Sequence, residues 1–266
     1  MKIKDIIETL EQFAPLPLQE SYDNAGLQCG LTEAEVSGVL LCLDVTEAVL
    51  TEAVELGCNL VVSHHPLLFH GLRQVTDSSL VERCVRMAVK HDLVIYSAHT
   101  NLDNAEDGVN YRMAEKLGLI DVQFLQPRTV NLPDGRRVKA GSGVLGYLPE
   151  AEDSLAFLQR VKQAFHVEAL QHNPLLERPV QSVALCGGAG DFMLDAAIDA
   201  DADAFLTGEM HYHVWHGHEH QIQIAVLGHY ESEQYTREIF RDIIERAAPH
   251  LPVYDTEVCT NPIHIL

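Results

Sequence analysis

The chain has 266 residues, 47% of them hydrophobic, and a formal net charge of −21 with histidine counted neutral. That length buries a core in one large domain or two modest ones, and no apolar run is long enough to span a bilayer. A broadly acidic surface repels phosphate backbones, which sets general nucleic-acid binding aside.

Residues 3–14 are predicted helical, because Ile3, Ile6, Ile7 and Leu10 share one face. Asp5, Glu8 and Glu11 interrupt any signal-peptide core, so a cytoplasmic protein is expected. Pro15-Leu16-Pro17 breaks the helix, and a loop containing Asp23-Asn24-Ala25-Gly26 follows. Val39-Leu40-Leu41-Cys42-Leu43 is a predicted strand. Thr46 caps a helix over about 47–56 that Gly57 ends. Leu60-Val61-Val62-Ser63 is a buried strand running into His64 and His65. A helix over 79–91 leads to a third strand, which runs through Ala98 into His99. Strand–helix–strand–helix–strand is the pattern of a parallel sheet with right-handed crossovers.

The centre differs. Pro127, Pro133, Asp134-Gly135 and Gly141 mark turns and a hairpin within 121–142, where Arg136, Arg137 and Lys139 read as a solvated turn. A helix is expected from Leu155 to Phe165. A strand over 183–186 then ends in Gly187-Gly188-Ala189-Gly190, followed by a helix over about 191–200 and a strand over 204–206. The last strand, 222–227, runs into His229, and a C-terminal helix over roughly 232–247 follows. The expected fold class is α/β, with two α/β domains. Residues 1–125 with about 215–266 form a metal-binding domain, and about 126–214 a second one.

Six cysteines at 29, 42, 58, 84, 186 and 259 contain no C-x-x-C pair, so zinc-ribbon and thioredoxin-like motifs are excluded and reduced thiols are expected. Gly141-Ser142-Gly143-Val144-Leu145-Gly146 spells G-x-G-x-x-G, but Tyr147-Leu148-Pro149 continues it as strand and turn, and the dinucleotide reading fails on context. The stretch from His211 to His220 is histidine-rich and reads as an unspecific surface tract.

Three strands thus end in histidine, at the edge where open α/β sheets place their ligands. His99 has Asp103 four residues on, and His229 has Glu233 at the same spacing. Imidazoles mixed with carboxylates suit zinc, iron, manganese or nickel. Two ions ~3.5–4 Å apart need a bridging group, which a carboxylate supplies. The expected centre therefore holds two divalent ions, with Glu233 as bridge. His64 and Asp103 serve one ion, and His65 and His229 the other. His99 is a ligand or orients one from behind. Glu209, in Thr207-Gly208-Glu209, reads equally as pocket rim or as a helix cap. Glu231 reads as a general base or as a solvated acid.

Asp23-Asn24-Ala25-Gly26-Leu27, Ser63-His64-His65-Pro66, His99-Thr100-Asn101-Leu102-Asp103, Thr207-Gly208-Glu209 and Gly228-His229-Tyr230-Glu231-Ser232-Glu233 together resemble the NIF3-like (DUF34) family, over nearly the whole chain and in family order. Its bacterial members are often labelled GTP cyclohydrolase I type 2 homologues. The resemblance implies two α/β domains, a dinuclear site on His64, His65, Asp103, His229 and Glu233, and a ring-shaped homohexamer. Tyr22 stands where many members have tryptophan, and Glu231 where many have a small residue. The label implies hydrolytic opening of the imidazole ring of GTP with release of formate.

The functional expectation is a metal-dependent hydrolase acting on a nucleotide or related small molecule, with Glu233 in its machinery. Its alternatives are a phosphoesterase, and a metal-binding regulatory or scaffold protein without robust catalysis. A ring encircling nucleic acid is opposed by the charge of −21.

Overall fold

The computed structural model describes residues 1–266. The chain divides into two units, Met1–Leu102 with Thr236–Pro262, and Asp103–Tyr235 with Ile263–Leu266.

The first unit opens with α1 (Ile3–Phe13), whose Ile3, Ile6, Ile7 and Leu10 are buried. After a short 3-10 turn come β1 (Gly26–Cys29), β2 (Val39–Cys42), α2 (Glu47–Glu55), β3 (Leu60–Ser63), α3 (Leu80–Lys90), β4 (Val94–Ser97) and the single-turn α4 (Thr100–Asp103). Side chains cap the two crossover helices: Thr46 accepts from the Val49 N–H, and Ser79 from the Glu82 N–H. Every residue of β2, β3 and β4 is buried, as parallel strands covered on both faces must be.

The second unit begins with α5 (Val109–Leu117), closed by Gly118 in the left-handed region. A hairpin of β5 (Ile120–Asn131) and β6 (Arg137–Glu152) follows. Then come α6 (Ser154–Phe165), β7 (Gln171–His172), β8 (Val180–Cys186), α7 (Leu194–Asp199), β9 (Ala204–Thr207), β10 (Gln223–Val226) and α8 (His229–Glu233). Its sheet runs β5-β6-β8-β9-β10-β7, with β8, β9 and β10 mutually parallel. Side chains alternate across it with period two. Val183, Leu185, Leu206 and Ala225 join Phe157, Val161 and Phe165 of α6 in one core. Ala184, Cys186, Phe205 and Ile224 join Leu194 and Ala197 of α7 in the other.

The chain then returns to the first unit as α9 (Thr236–Ala247) and β11 (Val253–Asp255). The completed first sheet has the order β1-β4-β3-β2-β11, with only β1 antiparallel. No helix is long and apolar enough to cross a membrane.

The main crossings between units fall at 102/103 and 235/236, not near 126 and 214, and a third lies at 262/263. Strand pairing is the reason: β5 is bonded to β6, and β10 to β9, so both belong to the second sheet. The helix expected over 232–247 is two helices, α8 and α9, and α8 already begins at His229. Helix 191–200 is a 3-10 turn, Asp191–Met193, leading into α7. The G-x-G-x-x-G letters lie inside β6. A Cβ on Gly141 would come within 2.7 Å of the Phe124 ring, so this glycine serves strand packing.

Candidate metal centre

In the first unit the parallel ladder delivers three imidazoles to one sheet edge. Ser63 pairs with Ser97 at the ends of β3 and β4, and their hydroxyls are 2.8 Å apart. The ladder carries on past the strands: the Ala98 N–H donates to Ser63 O, and the His65 N–H to Leu43 O, both at 3.0 Å. The turn is also held by the Ser63 hydroxyl, which donates to the His65 carbonyl at 3.0 Å. His64, His65 and His99 emerge beyond it with ring centroids 5.0, 5.2 and 5.5 Å apart. One nitrogen from each lies within 4.8 Å of the other two. His64 is fully buried, while His65 and His99 are partly exposed.

Each ring is held by its Nδ1. His64 Nδ1 lies 2.8 Å from the Ala98 carbonyl, which only accepts, so Nδ1 carries the proton and Nε2 is the nitrogen left to face a metal. His65 Nδ1 lies 2.7 Å from Asp44 Oδ1, and His99 Nδ1 lies 2.8 Å from Asp23 Oδ1. Both carboxylates have further donors. Asp44 Oδ2 accepts from the Thr260 hydroxyl at 2.6 Å. Asp23 Oδ2 accepts from the Thr100 N–H at 3.0 Å and from the Thr100 hydroxyl. Burial is the largest influence on Asp23 and pushes its carboxyl up. The hydrogen bonds from His99 and Thr100 outweigh it and hold the group at about 2. Asp44 is likewise lowered against its burial, by His65 and Thr260.

In the second unit three parallel strand ends carry the chemistry. Past β9 and β10 the ladder continues from Gly228 N–H to Gly208 O at 3.1 Å. His229 then opens α8, and its Nδ1 lies 2.9 Å from Glu209 Oε1. Its Nε2 lies 3.0 Å from Glu233 Oε2, one turn on. Glu233 is buried, with its side chain 5% exposed. The glycine turn after β8 is shaped around it. Gly188 has φ +59°, and a Cβ there would fall 2.2 Å from Glu233 Oε1. The Gly188 N–H donates to Ser232 Oγ at 3.0 Å, fixing the turn to α8. Asp103, the last residue of α4, accepts at its carbonyl from Asn110 Nδ2 at 3.1 Å. The buried Cys186 thiol is pushed up by burial first and then by the charges of Asp103 and Glu233.

These donors fit a divalent ion. Imidazoles whose Nδ1 is held by a carboxylate or carbonyl match the usual second layer of metal-binding histidines, and the buried His, Asp and Glu groups could hold metal. The structure brings His64, His65 and His99 together, and separately His229, Glu233 and Glu209. Asp23 and Asp44 were not singled out as site residues in the sequence, since a carboxylate reaching a histidine 76 or 21 positions away leaves no spacing signal. Glu209 faces His229, with its Oε1 2.9 Å from Nδ1. The Glu231 carboxylate lies against the backbone of Gly228, where a Cβ would fall 2.1 Å from Oε2. In the histidine-rich tract, His211 is 85% exposed at its side chain and meets Asp191 at 2.6 Å.

Residues 1–262 match the family Duf34/NIF3 (NGG1p interacting factor 3). The chain is 30% identical to a "GTP cyclohydrolase 1 type 2 homolog" of Lactococcus lactis over 273 residues, covering 99% of each protein. It is 31% identical to a protein of the same name from Clostridium acetobutylicum, over 88% of this chain and 85% of that one. Among solved structures, a Bacillus cereus protein related to NIF3 superposes with a TM-score of 0.88 at 24% identity, over 100% of this chain and 99% of that one. That likeness is one of fold.

Proposed function

This chain belongs to the Duf34/NIF3 family, and from that premise we propose that it is a metal-dependent hydrolase of a nucleotide or related small molecule. The observation that carries the reading is the cluster of His64, His65 and His99, each ring fixed at Nδ1 by an acceptor. Support for the reaction class comes from the relatives named GTP cyclohydrolase 1 type 2 homolog. We assign His64, His65, Asp103, His229 and Glu233 as ligands of two divalent ions. His99 would be a further ligand or hold one in place, and the Glu233 carboxylate would be the group shared between the ions.

Bound divalent ions supply Lewis acidity and lower the pKa of water at the site. The protein's own part is orientation and proton bookkeeping. Ala98 O fixes the His64 tautomer, and Asp23 and Asp44 keep His99 and His65 from turning. Glu209 does the same for His229. A homohexamer, as the family resemblance implies, is part of this proposal, and sedimentation equilibrium tests it.

The deciding experiment is elemental analysis of untagged protein, wild type beside Glu233→Gln, prepared without a nickel column. About two ions per chain in wild type, falling sharply in the variant, is the expected result. Wild type that takes up no metal even after reconstitution overturns the reading. With metal bound, release of formate from GTP supports ring opening, and release of phosphate supports the phosphoesterase alternative. Release of neither from a fully loaded protein, with GTP and a panel of phosphoesters, favours a binding or regulatory role.

A further inference from the structure

The metal-centred reading leaves an aromatic pair beside His99 without a role. Tyr22 and Phe69 are 64% and 38% exposed, although each carries a large apolar ring. Scattered exposed hydrophobics are ordinary, but these two are in ring contact. Their centroids are 6.4 Å apart at 58°. Phe69 also makes T-shaped contacts with His99, at 6.0 Å and 81°, and with His70, at 5.0 Å and 66°, so the pair adjoins the imidazole cluster.

The two loops that carry these rings are fastened to each other. Asn24 Nδ2 donates to the Leu68 carbonyl at 2.7 Å. The buried Gln28 accepts from the Leu68 N–H at 3.0 Å and donates to the Asn24 carbonyl at 2.7 Å. One buried amide thus clamps both loops, and the rings are presented in a fixed relation rather than on loose tips. Rigid exposed aromatics offer their faces to planar rings at little entropic cost.

We propose that Tyr22 and Phe69 form a stacking platform for a planar heteroaromatic ring, the ring portion of the substrate. The inference deepens the hydrolase reading, on which it rests, by naming the substrate class. A heterocycle stacked on Phe69 lies against His99, within reach of the imidazole cluster.

The test is calorimetric titration with guanosine and adenosine, and with ribose as the ring-less control. None of the three carries a phosphate, so binding through phosphate–metal contact is removed from the readout. Wild type binds at least one nucleoside and not ribose. Tyr22→Leu and Phe69→Leu each weaken nucleoside binding at least about fivefold. Tyr22→Phe and Phe69→Tyr keep it within about twofold, because the π-face is retained. Thermal melts and metal content of every variant are measured alongside. Absence of nucleoside binding by wild type, equal binding of ribose, or unchanged binding by folded leucine variants each overturns the proposal. Repeating the titration on protein stripped with a chelator separates the two readings. Ring-dependent binding that persists in a protein shown never to take up metal leaves the platform standing and removes only the metal chemistry.

Discussion

In the first unit each donor ring is set by an acceptor at Nδ1: a backbone carbonyl for His64, and carboxylates for His65 and His99. In the second unit His229 has one such acceptor, Glu209, whose side chain is 55% exposed. There the buried Glu233 is fitted instead against backbone from which side chains are missing, with Gly188 within 2.2 Å of its oxygen at the Cβ position. One region orients its donors by hydrogen bonds, the other by shape. Hydrogen bonds weaken by degrees when a partner is altered. A glycine-shaped recess holds until an atom is added to it, and then fails.

The sharpest way to break this contrast is Gly188→Ala. The added carbon collides with Glu233 and sits at a φ of +59°. A loss of about 2–4 kcal/mol in urea unfolding is expected, together with loss of metal in elemental analysis. An alanine variant that is as stable and as fully loaded as wild type would remove shape as the organising device of the second unit.

Asp44→Asn and Asp23→Asn should weaken metal affinity by about 10–100-fold while leaving the fold intact, read by competition with a chromogenic chelator. Glu209→Gln should cost less than about tenfold, because its carboxylate is already half in water. If the three carboxylate variants rank otherwise, burial does not govern how firmly an acceptor holds its histidine.

The smallest effect is in acid. Asp23 has a fully buried side chain and a carboxyl at about 2, below its ordinary value of 3.8. Ionised Asp23 therefore stabilises the fold in full above about pH 4, and that contribution is lost as pH falls through about 2. Urea titrations of metal-free protein across this range should show the loss in wild type. Asp23→Asn should lack that part of the slope.

The strand-end histidines were legible because a buried parallel strand is a short apolar run, and each of these runs stops at an imidazole. The cap at Thr46 made α2 nearly as clear. β1 was not legible: Gly26–Cys29 alternates buried and exposed residues over only four positions, and its pairing with β4 is long-range. The unit boundaries were missed because sheet membership is decided by partners far along the chain, as when β10 pairs with β9. The donors of the site were written in the sequence, but the groups that aim them were not. Asp23, Asp44 and Ala98 reach their histidines through tertiary pairing, and no periodicity records that.

The first sheet is finished only by β11, which follows the whole second unit along the chain, and Thr260, the second donor to Asp44, comes later still. On the ribosome, where domains fold as they emerge, residues 103–235 are made available in one continuous stretch, whereas the host sheet waits for β11, which is made only after that stretch is complete. The hydrogen bond that steadies Asp44 behind His65 is therefore among the last to close.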